Sequence, residues 1–332
     1  MWKKIAVLAS LISTSAMTQT WKDHFLVKNC EVYKLNGDKV KTYPGRLCQF
    51  FDDGSFVMAS LRELKFLTSQ GEVKWTISGE FHHQLNLSVD GKRLLVLSSK
   101  YQTDQKGEKL GIDHIMIVSK EGKVLHETLT DWMYKTLKDS QPWSKTELTH
   151  FNSFYEIPKI TEKGVPAYIK EGNFIVNAYT MGIFILSSDL KTILHHQNFA
   201  SSTGHKIHDV QILANGNYLY FNNIDSRSTD TNRFSSVQEM DHKGRIISEF
   251  PKERSPLFFS LHMGGVQSLD QDHWLISHAV LGSYIYSKKS QQIISNIYQT
   301  HYEYHRFLTA QQVKLKDLKL FLSVSGLEFL KN

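Results

Sequence analysis

Two kinds of hairpin alternate along this chain, and the alternation restricts the possible folds more than any other feature. In the first kind a tight turn precedes a run that ends in small or polar residues. Asp53-Gly54 stands before Ser55-Phe56-Val57-Met58-Ala59-Ser60, and Asp90-Gly91 before Leu94-Leu95-Val96-Leu97. Glu171-Gly172-Asn173, Asn215-Gly216-Asn217 and Asp270-Gln271-Asp272 open three more such runs, which makes five. The second kind joins two more polar, alternating strands. Its six turns are Asn36-Gly37-Asp38, Gln70-Gly71-Glu72, Glu121-Gly122-Lys123, Asp189-Leu190-Lys191, Lys243-Gly244-Arg245 and Lys289-Ser290-Gln291. Gly and Asn tolerate the positive φ that tight hairpin turns need, so these are turn signals with a mechanism.

An inner hairpin followed by an outer one is a four-stranded antiparallel sheet, the blade of a propeller. The chain therefore reads as all-β, a six-bladed β-propeller. Six outer hairpins against five inner ones leave the first blade incomplete, so N- and C-terminal strands are expected to share it. The missing strands are sought between Tyr304 and Leu330, at Val313-Lys314-Leu315 and Leu320-Phe321-Leu322. Two stacked β-sandwiches fit the period as well, but do not account for the missing hairpin. Leu129 to Thr149 is too long for a simple connection and reads as a loop over one mouth, with a helical turn around Met133–Leu137 and with Trp132 and Trp143.

Met1-Trp2-Lys3-Lys4, an apolar run from Ile5 to Ile12 and the small residues Ser13-Thr14-Ser15-Ala16 read as a signal peptide over 1–16, followed by a single propeller domain over 17–332. No later stretch approaches the ~18 apolar residues of a spanning helix. A periplasmic or secreted protein is expected. Of the formal charge of +6, Lys3 and Lys4 supply two, leaving +4 scattered among acidic residues. Nucleic-acid binders concentrate their basic residues on one face, so no such partner is expected. Cys30 and Cys48 are the only cysteines, and an exported pair is either oxidised or two buried thiols. Their spacing matches no metal site.

Four of the 16 histidines stand at or just before an expected innermost strand: His83, His150, His208 and His262. Innermost strands line a propeller's channel, so these imidazoles should converge, unless repetition copied the residue without a shared role. Convergent imidazoles suit a metal site or catalysis on an anionic group.

The segment from His208 to Asn223 resembles the stretch around the nucleophilic histidine of the bacterial arylsulfate sulfotransferases, a family of periplasmic six-bladed propellers. His150-Phe151-Asn152-Ser153 is similar to that family's His-x-Asn-Ser motif and Phe81-His82-His83 to its His-His-Asp element. Gly265-Val266-Gln267-Ser268-Leu269 and His301-Tyr302-Glu303-Tyr304-His305-Arg306-Phe307 match later parts of the pattern. Two departures stand out: Tyr179 falls where the family has arginine, and Gln84 where it has aspartate.

The resemblance implies sulfuryl transfer from a small aryl sulfate to a phenolic acceptor through a sulfohistidine, with no cofactor and no metal. It assigns His208 as nucleophile and His83 and His150 as groups that stabilise the sulfuryl oxygens or protonate the leaving oxygen. Asn152 and Tyr179 become hydrogen-bond donors, and His262 a further substrate-binding residue. The alternative is a non-catalytic propeller that serves as a ligand-binding or protein-interaction module of the cell envelope.

Overall fold

The computed structural model describes residues 24–28, 30–34, 37–103, 107–136, 148–178, 181–197, 207–224, 233–255, 258–261, 263–278, 281–298 and 310–314. The expected leader lies outside them, as do Trp143, Leu320-Phe321-Leu322, Tyr179 and His262.

The chain begins its described part with β1 (His24–Lys28), β2 (Glu31–Lys34) and β3 (Lys39–Thr42). Blade 1 is β4 (Leu47–Phe50), β5 (Phe56–Ala59), β6 (Glu63–Leu67) and β7 (Val73–Ser78). Blade 2 is β8 (Glu80–Leu87), β9 (Arg93–Thr103), β10 (Lys109–Ser119) and β11 (Val124–Leu129). A helix, α1 (Asp131–Thr136), follows, and then blade 3: β12 (Phe151–Glu156), β13 (Phe174–Ala178), β14 (Gly182–Leu186) and β15 (Ile193–Gln197). Blade 4 is β16 (Ile207–Ile212), β17 (Tyr218–Asn222), β18 (Ser236–Met240) and β19 (Ile246–Phe250). Blade 5 is β20 (Gly264–Ser268), β21 (His273–His278), β22 (Gly282–Ser287) and β23 (Gln292–Tyr298). Finally β24 (Ala310–Lys314) returns to pair antiparallel with β1, Leu26 opposite Gln312, and completes blade 6 in the order β24-β1-β2-β3. The fold is a six-bladed β-propeller.

Every inner and outer turn read from the sequence closes the hairpin expected of it. Most place a glycine at positive φ, but the two outer turns that lack one put Leu190 (φ 61°) and Gln291 (φ 60°) there instead. Leu190 accepts that backbone because its side chain is fully buried between blades 2 and 3. Gly122 could not be replaced so easily: an added Cβ would sit 2.7 Å from the Trp75 ring, whose Nε1–H donates to the Lys120 carbonyl and ties blade 1 to blade 2.

One expectation is corrected at the seam. The C-terminal segment contributes one described strand to the closing blade, because β1 supplies the other: its apolar run Phe25-Leu26-Val27 is buried and fills the second position. Burial also explains the six cores, one at each interface between neighbouring blades. Successive side chains of a strand point to opposite faces. Phe25 and Val27 accordingly pack against blade 1, while Leu26 packs against Leu275 and Ile285 of blade 5. Each such side chain contributes about 1.5–3 kcal/mol on burial.

Cys30 and Cys48 are bonded, joining the β1–β2 turn of blade 6 to the innermost strand of blade 1. The helical turn expected near Met133 is α1, which buries Met133 completely between blades 2 and 3. Among the described residues no helix is long and apolar enough to cross a membrane.

Candidate functional site

The innermost strands of three consecutive blades are irregular at the level of the predicted histidines. In β8 the register jumps from Phe81 opposite Ser98 to Leu85 opposite Val96, which expels His82, His83 and Gln84 from the ladder. In β12 the shift bulges out Asn152, and in β16 it displaces Asp209 and Val210. β4 and β20 pair without interruption. His83 (φ 59°) and Asp209 (φ 56°) both take the left-handed backbone that non-glycine residues rarely adopt. Bulges re-aim side chains, and backbone strain of this kind collects at functional sites.

Part of the predicted set comes together beside these irregularities. The rings of His82 and His83 meet edge to face at 4.7 Å between centroids, and those of His83 and His150 do the same at 4.7 Å. His208 and the Arg46 guanidinium lie within electrostatic reach of His83. His83, His150 and His208 are each partly exposed. They do not share one ladder position: His83 sits in a bulge, His150 precedes its strand, and His208 is paired within β16, opposite Phe221.

His150 is held from blade 2. Leu148 N–H donates to the Gly111 carbonyl (2.9 Å) and Phe151 N–H to Asp113 Oδ2 (2.9 Å). Asp113 N–H donates to Thr149 Oγ1 (3.2 Å), whose hydroxyl also meets Thr130 Oγ1 (2.8 Å). The other Asp113 oxygen lies 2.9 Å from His82 Nε2, at an angle outside hydrogen-bond geometry. One buried carboxylate thus holds the start of β12 by a hydrogen bond and lies against the His82 ring of the bulge.

Burial drives the His83 imidazole well below its ordinary pKa, and the neighbouring His82, His150, His208 and Arg46 push the same way. His83 is neutral at physiological pH, so it can offer an N–H but cannot serve as an imidazolium acid. His208 Nδ1 lies 2.5 Å from Asn223 Oδ1. Asn223 is itself fully buried, and its amide nitrogen donates to the carbonyls of Ser260 (2.8 Å) and Met263 (2.8 Å).

Asn152 does not match its expected role simply. Its amide nitrogen donates across to the Ile207 carbonyl (3.3 Å), and its buried Oδ1 has no hydrogen-bond partner among the described residues.

Next to His208, polar side chains from several blades converge on Asp209. Its carboxylate accepts from Gln84 Nε2 (2.6 Å), from the Tyr155 hydroxyl and from Val266 N–H (2.7 Å), which links blades 2, 3, 4 and 5. Burial raises the Asp209 carboxyl above its ordinary pKa, and those three hydrogen bonds pull it back. Asn86 extends the network, donating to Gln84 Oε1 (3.1 Å) and to the Phe154 carbonyl (2.9 Å). Gln84, the departure noted in the sequence, is thus the partner of a carboxylate supplied by another blade.

The sequence reading missed Arg46, Asp113, Asp209 and Asn223. Arg46 had a visible signal, since it immediately precedes β4 as His150 immediately precedes β12. Tyr179 and His262 lie outside the described residues. Among the described residues no group of three or more His, Cys, Asp or Glu side chains is arranged to hold a metal ion.

The fold and this channel mouth define a β-propeller with a histidine-rich polar site. No protein-family model matches the chain, and no curated protein matches its sequence. In structure it is similar to a Bacteroides caccae protein of unknown function, at 14% identity and a TM-score of 0.51, over 82% of this chain and 92% of that one. It is also similar to Saccharomyces cerevisiae Sqt1, at 11% identity and a TM-score of 0.45, over 82% and 79% of the two chains. The Cps50 (Swd1) β-propeller domain of Myceliophteria thermophila aligns at 10% identity and a TM-score of 0.44, over 77% and 68%. At such identities the likeness shows the fold alone.

Proposed function

We propose that this propeller transfers a sulfuryl group from an aryl sulfate to a phenolic acceptor through a covalent intermediate on His208. The observation that carries the reading is the imidazole of His208, anchored through one ring nitrogen by a buried amide, within electrostatic reach of His83, which is in turn within reach of His150 and Arg46. In the first half-reaction a lone pair of His208 attacks sulfur, the sulfur–aryl oxygen bond breaks, and the phenolate leaves with its electron pair. In the second the acceptor phenol gives its proton to solvent, its oxygen bonds to sulfur as the nitrogen–sulfur bond breaks, and the electron pair returns to the imidazole.

His83 acts as a neutral N–H donor to the sulfuryl oxygens, the one role its depressed pKa allows of the two the sequence offered. Arg46 supplies the fixed positive charge that the substitution at Tyr179 removes, from blade 1 instead of blade 3. A cation beside an anionic donor contributes more than a phenol can. Export belongs to the same reading and is supported by the Cys30–Cys48 bond, since disulfides persist in oxidising compartments.

Incubation with an activated aryl sulfate should release one equivalent of phenol in a burst and leave one sulfuryl group on His208. His208→Ala should abolish both, and His83→Ala should slow the burst without moving the label. A wild-type protein that binds aryl sulfates but shows neither burst nor label overturns transfer. It would establish the second reading, a capture site without chemistry. That reading is favoured by Asn152, whose amide nitrogen is engaged by the Ile207 carbonyl in place of the sulfuryl oxygens that transfer would have it stabilise.

A further inference from the structure

We infer that Asn223 is a positioning residue that fixes the tautomer of His208 and thereby selects Nε2 as the reacting nitrogen. The inference rests on the sulfuryl-transfer reading for its consequence, but not for its geometry. Asn223 sits just beyond β17 and is fully buried. A primary amide has two N–H donors and one acceptor oxygen, and which end faces which way must be settled by its partners. Here the partners settle it. Two carbonyls, of Ser260 and of Met263, stand 2.8 Å from the amide nitrogen, and a carbonyl can only accept. Both N–H groups are therefore committed, and the oxygen must be the atom that faces His208 Nδ1 at 2.5 Å.

An amide oxygen can only accept, so His208 Nδ1 carries the proton. In the neutral ring the lone pair is then on Nε2. The backbone around the amide is also restrained, because Ser235 Oγ donates to the Asn223 carbonyl (2.6 Å) and accepts from Ser260 N–H (2.8 Å). Rotating the amide would place its N–H groups against Nδ1–H and its oxygen against two carbonyls, so the arrangement has a single satisfied state. When Nε2 bonds to sulfur the ring gains positive charge. Its Nδ1–H then donates more strongly to the same oxygen, so Asn223 favours the intermediate as well as the resting tautomer. Carboxylates orient imidazoles in this way in hydrolase triads, and imposing the wrong tautomer there lowers turnover about 10⁴-fold. With a neutral orienting group the expected loss here is about 10²-fold or more.

The test is the nitrogen-detected spectrum of the full chain with 15N-labelled histidine, recorded without substrate, with the His208 signal identified by its loss in His208→Gln. Wild type should show a proton on Nδ1 and a lone pair on Nε2. Asn223→Ala should release that preference and slow the burst about 10²-fold. Asn223→Asp, which keeps an oxygen facing Nδ1, should hold the proton there and recover part of the rate. A wild-type spectrum with the proton on Nε2 alone overturns the assignment, and does so even if Asn223→Ala fails to fold. So does a folded Asn223→Ala with an unchanged tautomer. Absence of any burst in wild type refutes sulfuryl transfer and leaves the tautomer result standing, so the two failures are separable.

Discussion

Acidification should destabilise this protein through His278, by an amount that can be worked out. His278 lies at the end of β21, fully buried, with its ring 4.6 Å from that of Phe258 and 6.0 Å from that of Phe221. Its Nδ1 accepts the Leu281 N–H (3.1 Å), so a second proton on the ring would break that bond as well as charge an aromatic pocket. Burial pushes its pKa down to about 4. The unfolded chain binds the proton below about pH 6.5, while the folded chain resists it until about pH 4, so stability is lost as pH falls through that window. The full effect is about 3 kcal/mol, of which about 2 kcal/mol is expressed between roughly pH 7 and pH 5. Urea unfolding at those two pH values should be compared for wild type and His278→Asn, whose side-chain oxygen can still accept from Leu281. His83 and His114, whose pKa values are also depressed, remain in both proteins and cancel. The variant should lose about 2 kcal/mol less than wild type on acidification. Equal losses in the two proteins would refute the burial argument, whatever their absolute stabilities.

Cys30→Ser with Cys48→Ser should cost about 3 kcal/mol, the loop-closure estimate for a bond that spans 18 residues, read as a lower denaturant midpoint; an unchanged midpoint would mean the blade 6–blade 1 interface needs no covalent tie. Asp209→Asn keeps the side-chain shape, and Asn tolerates the positive φ, but it turns one acceptor toward a donor of Gln84, Tyr155 or Val266. It should cost about 1–3 kcal/mol in the same assay, and no loss would contradict the hub described for the channel.

The blades were legible because turn chemistry is local. Gly37, Gly54, Gly71, Gly91, Gly122, Gly172, Gly216 and Gly244 all take the positive φ expected of them, and the alternation of inner and outer hairpins then sets the blade count. The division of the closing blade was read only in part: both missing strands were sought at the C-terminus, whereas Phe25-Leu26-Val27 lies in β1, which pairs with β2 on one side and with β24 on the other. At the site, residue identity was visible and orientation was not. The rings of His83 and His150 meet, yet the bulge that holds His83 leaves no local signature, since no rule marks His or Asp for left-handed backbone here. Arg46 acts on a histidine of another blade, so its role follows from the closed ring; Asp113 and Asn223 share a blade with the histidines they face, but their contacts depend on side-chain orientation that the sequence does not show.

Because β24 is the innermost strand of the blade that β1 begins, the order of synthesis leaves that blade unfinished longest. Everything from Glu31 to Tyr298 can be made while the free side of β1 has no partner strand. An unpaired strand side is a template for any extended chain, including residues 310–314 of a second copy. The Cys30–Cys48 bond joins the β1–β2 turn to blade 1, so that turn is tied covalently to the ring whether or not β24 is in place.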